Sequence, residues 1–175
     1  MTMDSSIYRI RKSFLLPLGL IVLLSSILLI TALVLQLPKA KVIILGIFLL
    51  PALVLFAESS RRRVRITKQG IEVSKLLRNK RMDYTDLTAI DTIQVRKRAF
   101  ISLSSEQDFM ILSNSYARFG ELLRQLVERA PETAVSDETR QLANNPPRKC
   151  SDVFSAWLAV AVLILIIFAQ LRNVF

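Results

Sequence analysis

The side chains able to do chemistry in this chain are overwhelmingly cationic. Lysines and arginines number 24 against 14 aspartates and glutamates, histidine is absent, and the formal charge is +10. The bases are clustered: Arg61, Arg62, Arg63, Arg65 and Lys68 form one group, Lys75, Arg78, Lys80 and Arg81 a second, and Arg96, Lys97 and Arg98 a third. Arg9, Arg11 and Lys12 stand near the N-terminus. Guanidinium forks and ammonium point charges both suit phosphate oxygens, so the chemistry on offer is anion binding. With no histidine and one cysteine, Cys150, the common zinc sites and the Ser-His and Cys-His nucleophile pairs are ruled out, as is an internal disulfide. Asp83, Asp86 and Asp91 lack the loop spacing of a calcium site, and capping, turn roles or pairing with Arg81 account for them. No catalytic residue, metal or cofactor is expected, and the chain reads as a non-enzyme.

Three apolar runs carry these groups. Residues 14–36 are almost uninterruptedly apolar and long enough to cross a hydrocarbon core of roughly 30 Å. Ser25, Ser26 and Thr31 are their polar exceptions, suited to bonding back to their own helix or to facing a neighbour. After a break at residues 37–41, a shorter run, 42–57, draws on Glu58 to Ser60, so that 14–60 reads as a transmembrane helical hairpin. The first run is too long for a signal-peptide h-region, and no small-residue cleavage pattern follows it. The third run, 153–171, has Trp157 near its start as an interfacial anchor and Ser151 or Asp152 as a cap.

Charge sets the expected topology. Arg9, Arg11 and Lys12 precede the hairpin, Arg61, Arg62 and Arg63 follow it, and only Lys39 and Lys41 lie in its turn. The positive-inside rule then puts the N-terminus and the middle of the chain in the cytoplasm of a cell with an inner membrane, and the C-terminus outside. Bases beside apolar spans point to anionic lipid headgroups and away from nucleic acid. Cys150, beside Lys149, is an acylation candidate, with an unmodified thiol favoured.

Between the spans, residues 61–131 read as a small α+β domain. Ile71 and Val73 alternate with Glu72 and Ser74, as Val64 and Ile66 do with Arg63 and Arg65, which is strand patterning. Turns are expected at residues 68–70 and 77–80, with further strands at 82–84, around Ile93 and Val95, at 100–103 and at 109–112. An amphipathic helix is expected over 116–129, capped by Asn114 or Ser115 and ended by Pro131, with Phe119, Leu122, Leu123, Leu126, Val127 and Ala130 on one face. Residues 132–151 read as a polar linker with a helical turn near 138–142. The expected organisation is thus a basic head (1–13), the hairpin (14–60), the domain (61–131), the linker (132–151), and a third span with a short tail (152–175).

Arg65-Ile66-Thr67 followed by Gly70-Ile71-Glu72-Val73, and then Met82-Asp83-Tyr84-Thr85-Asp86-Leu87 leading to Ile90, resemble bacterial membrane proteins that carry a pleckstrin-homology-like domain behind a transmembrane hairpin. The resemblance covers roughly residues 14–130; the third span and the linker are not general features of that family. It implies a bent antiparallel sheet closed by one C-terminal helix, serving as an interaction or lipid-facing module without shared catalysis. On this reading Lys75, Arg78, Lys80, Arg81, Arg96, Lys97 and Arg98 are the candidates for phosphate or headgroup contact, while Arg9, Arg11, Lys12, Arg61, Arg62 and Arg63 set topology. The expected role is a scaffold, assembly factor or accessory subunit that docks a membrane or cytoplasmic protein partner, anionic lipid or both, and homo-oligomers fit the same reading. The competing expectation is a regulatory or pore-forming subunit of a transport complex, although no span holds a buried charge.

Overall fold

The computed structural model describes residues 5–95, 98–146 and 151–172. Arg96, Lys97 and Cys150 lie outside them, and so do the side chains of the cap candidates Ser151 and Asp152. The chain divides into two compact units, Met1–Arg11 with Arg61–Lys149, and Lys12–Ser60 with Cys150–Phe175.

The second unit contains three helices, α1 (Lys12–Val34), α2 (Lys39–Arg61) and α5 (Ser151–Arg172). All three are long and apolar enough to cross a membrane, with mean hydropathies of 2.6, 2.6 and 2.5 over their best windows. Large apolar side chains such as Phe48, Phe154 and Phe168 face outward, as suits helices surrounded by hydrocarbon. Two hydroxyls of α1 bond back to their own turns: Ser26 Oγ donates to the Val22 carbonyl at 2.8 Å and Thr31 Oγ1 to that of Leu28 at 3.0 Å. Thr31 Oγ1 also accepts from Gln170 Nε2 of α5 at 3.4 Å, so it faces a neighbour as well. α1 packs along α5, and Gly19 leaves room for the Phe56 ring of α2.

The first unit holds two antiparallel sheets. One is ordered β1-β2-β3-β4 and comprises β1 (Ser6–Arg9), β2 (Arg63–Ile66), β3 (Gly70–Ser74) and β4 (Asn79–Asp83). The other is ordered β5-β6-β7, from β5 (Leu87–Val95), β6 (Arg98–Ser105) and β7 (Phe109–Ser113). Alternation along these strands buries Val64, Ile66, Ile71, Val73, Ile101, Leu103 and Leu112 on the inner faces. α3 (Phe119–Arg129) closes the core with Phe119, Leu122, Leu123 and Leu126 buried, while Val127 is only half-buried.

Four features differ from the sequence reading. The N-terminal head is part of the domain, because β1 pairs with β2 across the inserted hairpin with Tyr8 opposite Val64 and Arg9 opposite Arg63. Tyr8 is buried there and its hydroxyl donates to Glu121 Oε1 at 3.4 Å. The helix starts at Phe119 rather than at 116, since Tyr116 bridges to Ile10 and the Ala117 N–H donates to the Arg9 carbonyl at 2.7 Å. Its N-cap is Arg118, in the left-handed region, and neither Asn114 nor Ser115 fills that position. In the turn after β3, Asn79 and Lys80 already belong to β4, and Tyr84 leaves the strand for a 3-10 turn, Tyr84–Asp86.

The fourth difference concerns residues 132–146, which are packed rather than a free linker. Val135 bridges to Ile90 of β5, and α4 (Asp137–Asn144) follows with Leu142 and Ala143 buried. Ser136 caps α4 by accepting from the Thr139 N–H. Thr139 is fully buried, and its Oγ1 lies 3.1 Å from the Ile90 carbonyl and 2.8 Å from Thr92 Oγ1. Few apolar residues are needed here because backbone and hydroxyl hydrogen bonds fix the segment to the free edge of β5.

Candidate anion-binding site

The second basic group straddles the β3–β4 hairpin, and the pleat divides it. Lys80 stands opposite Val73 and Arg81 opposite Glu72, so the two bases point to opposite faces. Arg81 is held on the outer face by Asp83 at 3.0 Å and by Gln69 at 3.3 Å. Lys80 instead joins Lys75, Arg78 and Arg62 in lining a cavity of about 310 Å³. Its other wall is built from β6 and β7, with Phe100, Phe109, Met110 and Ile111 contributing apolar surface. Among the described residues that line it, none is acidic.

Two contacts organise these cations. Arg62 Nε donates to the Tyr116 hydroxyl at 3.0 Å with its guanidinium 5.8 Å from the ring centroid, which fixes the side chain without neutralising it. Lys80 Nζ reaches Asp108 Oδ1 at 2.6 Å, donates to the Phe109 carbonyl at 3.1 Å and lies 5.4 Å from the Phe109 ring centroid. That bond to Lys80, together with the Phe109 N–H, holds the Asp108 carboxyl below the usual aspartate range. Lys75 and Arg78 are exposed and make no ion pair with a described residue.

Of the other sequence candidates, Arg98 opens β6 opposite Val95 and does not line the cavity, and Arg96 and Lys97 lie outside the described residues. Arg9 and Arg63 are cross-strand partners on the outer face of the four-stranded sheet, where Arg65 pairs with Glu72 at 3.6 Å. Asp83 pairs with Arg81, Asp86 accepts from Thr85 Oγ1, and Asp91 sits exposed on β5, so the three carboxylates serve separate local roles. Sequence reading missed Arg62, Asp108 and Phe109 as parts of the site. Arg62 was absorbed into the topology signal of the arginine run, and the other two approach the hairpin only through a contact between sheets.

Comparison of the chain with protein-family models, with curated proteins and with solved structures finds no match.

Proposed function

We propose that this is a non-enzymatic inner-membrane protein whose water-facing domain is pleckstrin-homology-like and docks phosphate-bearing anions, foremost anionic lipid headgroups. It would serve as a scaffold, assembly factor or accessory subunit, with the N-terminus and the domain cytoplasmic and the C-terminus outside. Three apolar helices support the membrane placement, and the distribution of Arg9, Arg11, Lys12 and Arg61–Arg63 against Lys39 and Lys41 supports the orientation. Antiparallel sheets of four and three strands closed by the amphipathic helix α3 support the kinship of the domain.

The observation that carries the ligand class is the cavity itself. Arg62, Lys75, Arg78 and Lys80 converge on one concave surface; among the described residues that line it none is acidic, and Asp108 meets Lys80 from outside that lining. Like charges gathered so closely repel one another, and a bound polyvalent anion relieves that repulsion. Arginine forks and lysine ammonium groups together satisfy several oxygens of a phosphate. Titration of the full chain in nonionic detergent with glycerol phosphate tests this reading. Saturable binding that is lost in Lys75→Gln/Arg78→Gln supports it, and equal binding by both forms retires it.

A further inference from the structure

The loop joining β3 to β4 carries apolar residues where a hairpin connection is usually polar. The connection runs from Lys75 to Arg78, and the Lys75 N–H donates to the Arg78 carbonyl at 2.9 Å, which leaves Leu76 and Leu77 at its tip. Hairpin tips are usually built from polar turn residues such as asparagine, aspartate and serine, and two leucines supply none of that polarity. Leu77 is 95% exposed, the most exposed large apolar side chain among the described residues. Lys75 and Arg78 bracket the Leu76-Leu77 pair, and both line the cationic cavity. Across that cavity Phe109 and Ile111 of β7 are also exposed, at 61% and 48%. Local rules broken at one exposed point suggest a functional demand on it.

We infer that the Leu76-Leu77 tip inserts into the interface of an anionic bilayer while Lys75 and Arg78 hold lipid phosphates beside it. This deepens the reading above and rests on it, since it fixes the source of the phosphate as a membrane surface. A membrane is favoured over a soluble anion because a free phosphate would need the cations but would leave Leu77 without an apolar surrounding. The chain carries three helices apolar enough to cross a membrane, and Arg62 follows directly on the last residue of α2, so a bilayer accompanies the site wherever the protein is inserted. Leucine between two bases then matches the layering of an interface, with the ammonium and guanidinium groups at headgroup depth and the aliphatic tip below them.

The test uses the full chain reconstituted in phosphatidylcholine vesicles with and without phosphatidylglycerol. An environment-sensitive fluorophore is placed on Leu77→Cys in a Cys150→Ser background, with Glu106→Cys in the exposed turn after β6 as the reference. The expected result at position 77 is blue-shifted emission, quenched by brominated acyl chains, in anionic vesicles alone, and absent at position 106. Lys75→Gln/Arg78→Gln should abolish the shift. Trypsin gives a reading free of dye: cleavage after Lys75 and Arg78 should be at least about tenfold slower in anionic than in neutral vesicles, and Leu77→Ser should remove most of that protection.

A position 77 that stays in water in anionic vesicles overturns the inference, and docking on an acidic protein would give that outcome. If glycerol phosphate still binds in detergent, the cavity reading survives that failure; if it does not, both fall. Insertion that is equal in neutral vesicles and indifferent to Lys75 and Arg78 also overturns the inference, since the cations would then play no part.

Discussion

Lys80 of β4 and Asp108 in the turn before β7 meet at 2.6 Å, linking the edge of one sheet to the other. The pair both braces the cavity and occupies one of its four cations. A carboxylate held by an ammonium group competes with any incoming anion for the same charge. Asp108→Asn should therefore raise the affinity of the full chain for glycerol phosphate, by about two- to tenfold at low salt, and steepen its salt dependence. Titration at two ionic strengths checks this, and reduced affinity would show that Asp108 positions Lys80 rather than masking it.

The same pair has a pH signature. Because the folded chain lowers the Asp108 pKa, the ionised carboxylate is favoured in the native state. Its contribution to stability is present above the usual aspartate range and is lost as pH falls through the depressed value. Acid unfolding followed by tryptic susceptibility should show a shallower acid limb for Asp108→Asn than for the parent chain.

The cavity side and the outer side of the β3–β4 hairpin should respond differently to charge reversal. Arg78→Glu places a carboxylate at the cavity and should weaken anion binding by about tenfold or more. Arg81→Glu acts on the outer face beside Asp83 and should leave binding within about twofold, the modest effect expected of an exposed pair. Equal losses in the two variants would mean that general surface charge, and not the cavity, attracts the ligand.

Thr139 tests whether residues 132–146 belong to the domain. Its buried hydroxyl bonds the Ile90 carbonyl, and Thr139→Val keeps the shape while removing that donor. A loss of about 1–3 kcal/mol is expected. Thermal unfolding of the detergent-solubilised chain, followed through domain proteolysis, measures it, and an unchanged midpoint would return the segment to linker status.

Gly70 begins β3 opposite Asp83 of β4. An added Cβ would lie 2.8 Å from Asp83 Cα and closer still to the Met82 carbonyl, so Gly70→Ala must part the two strands. About 1–3 kcal/mol of destabilisation is expected. The same unfolding measurement checks it, with Gly46→Ala, whose Cβ would meet nothing within 4 Å, as the neutral comparison.

What local pattern could carry was legible in the chain. Long apolar runs declare α1, α2 and α5, because a helix surrounded by hydrocarbon needs only length and hydropathy. Period-two alternation in β2 and β3 and the 3.6-residue face of α3 were equally direct, since each depends on neighbours within one element. Elements whose partners are remote in sequence were not legible. Ser6–Arg9 is too short to read as a strand, and it becomes one only because Arg63–Ile66, returning after the hairpin, offers a ladder. Residues 132–146 look like a linker until β5 supplies an edge and the Ile90 carbonyl accepts Thr139. The candidate site divides in the same way. Sequence by itself determined that Lys75, Arg78, Lys80 and Arg81 cluster around one turn. Only the tertiary structure decided that the pleat sends Arg81 away, that Arg62 and the apolar wall of β6 and β7 complete a cavity, and that Asp108 reaches across to Lys80, because side-chain direction and contact between sheets are properties of the folded backbone.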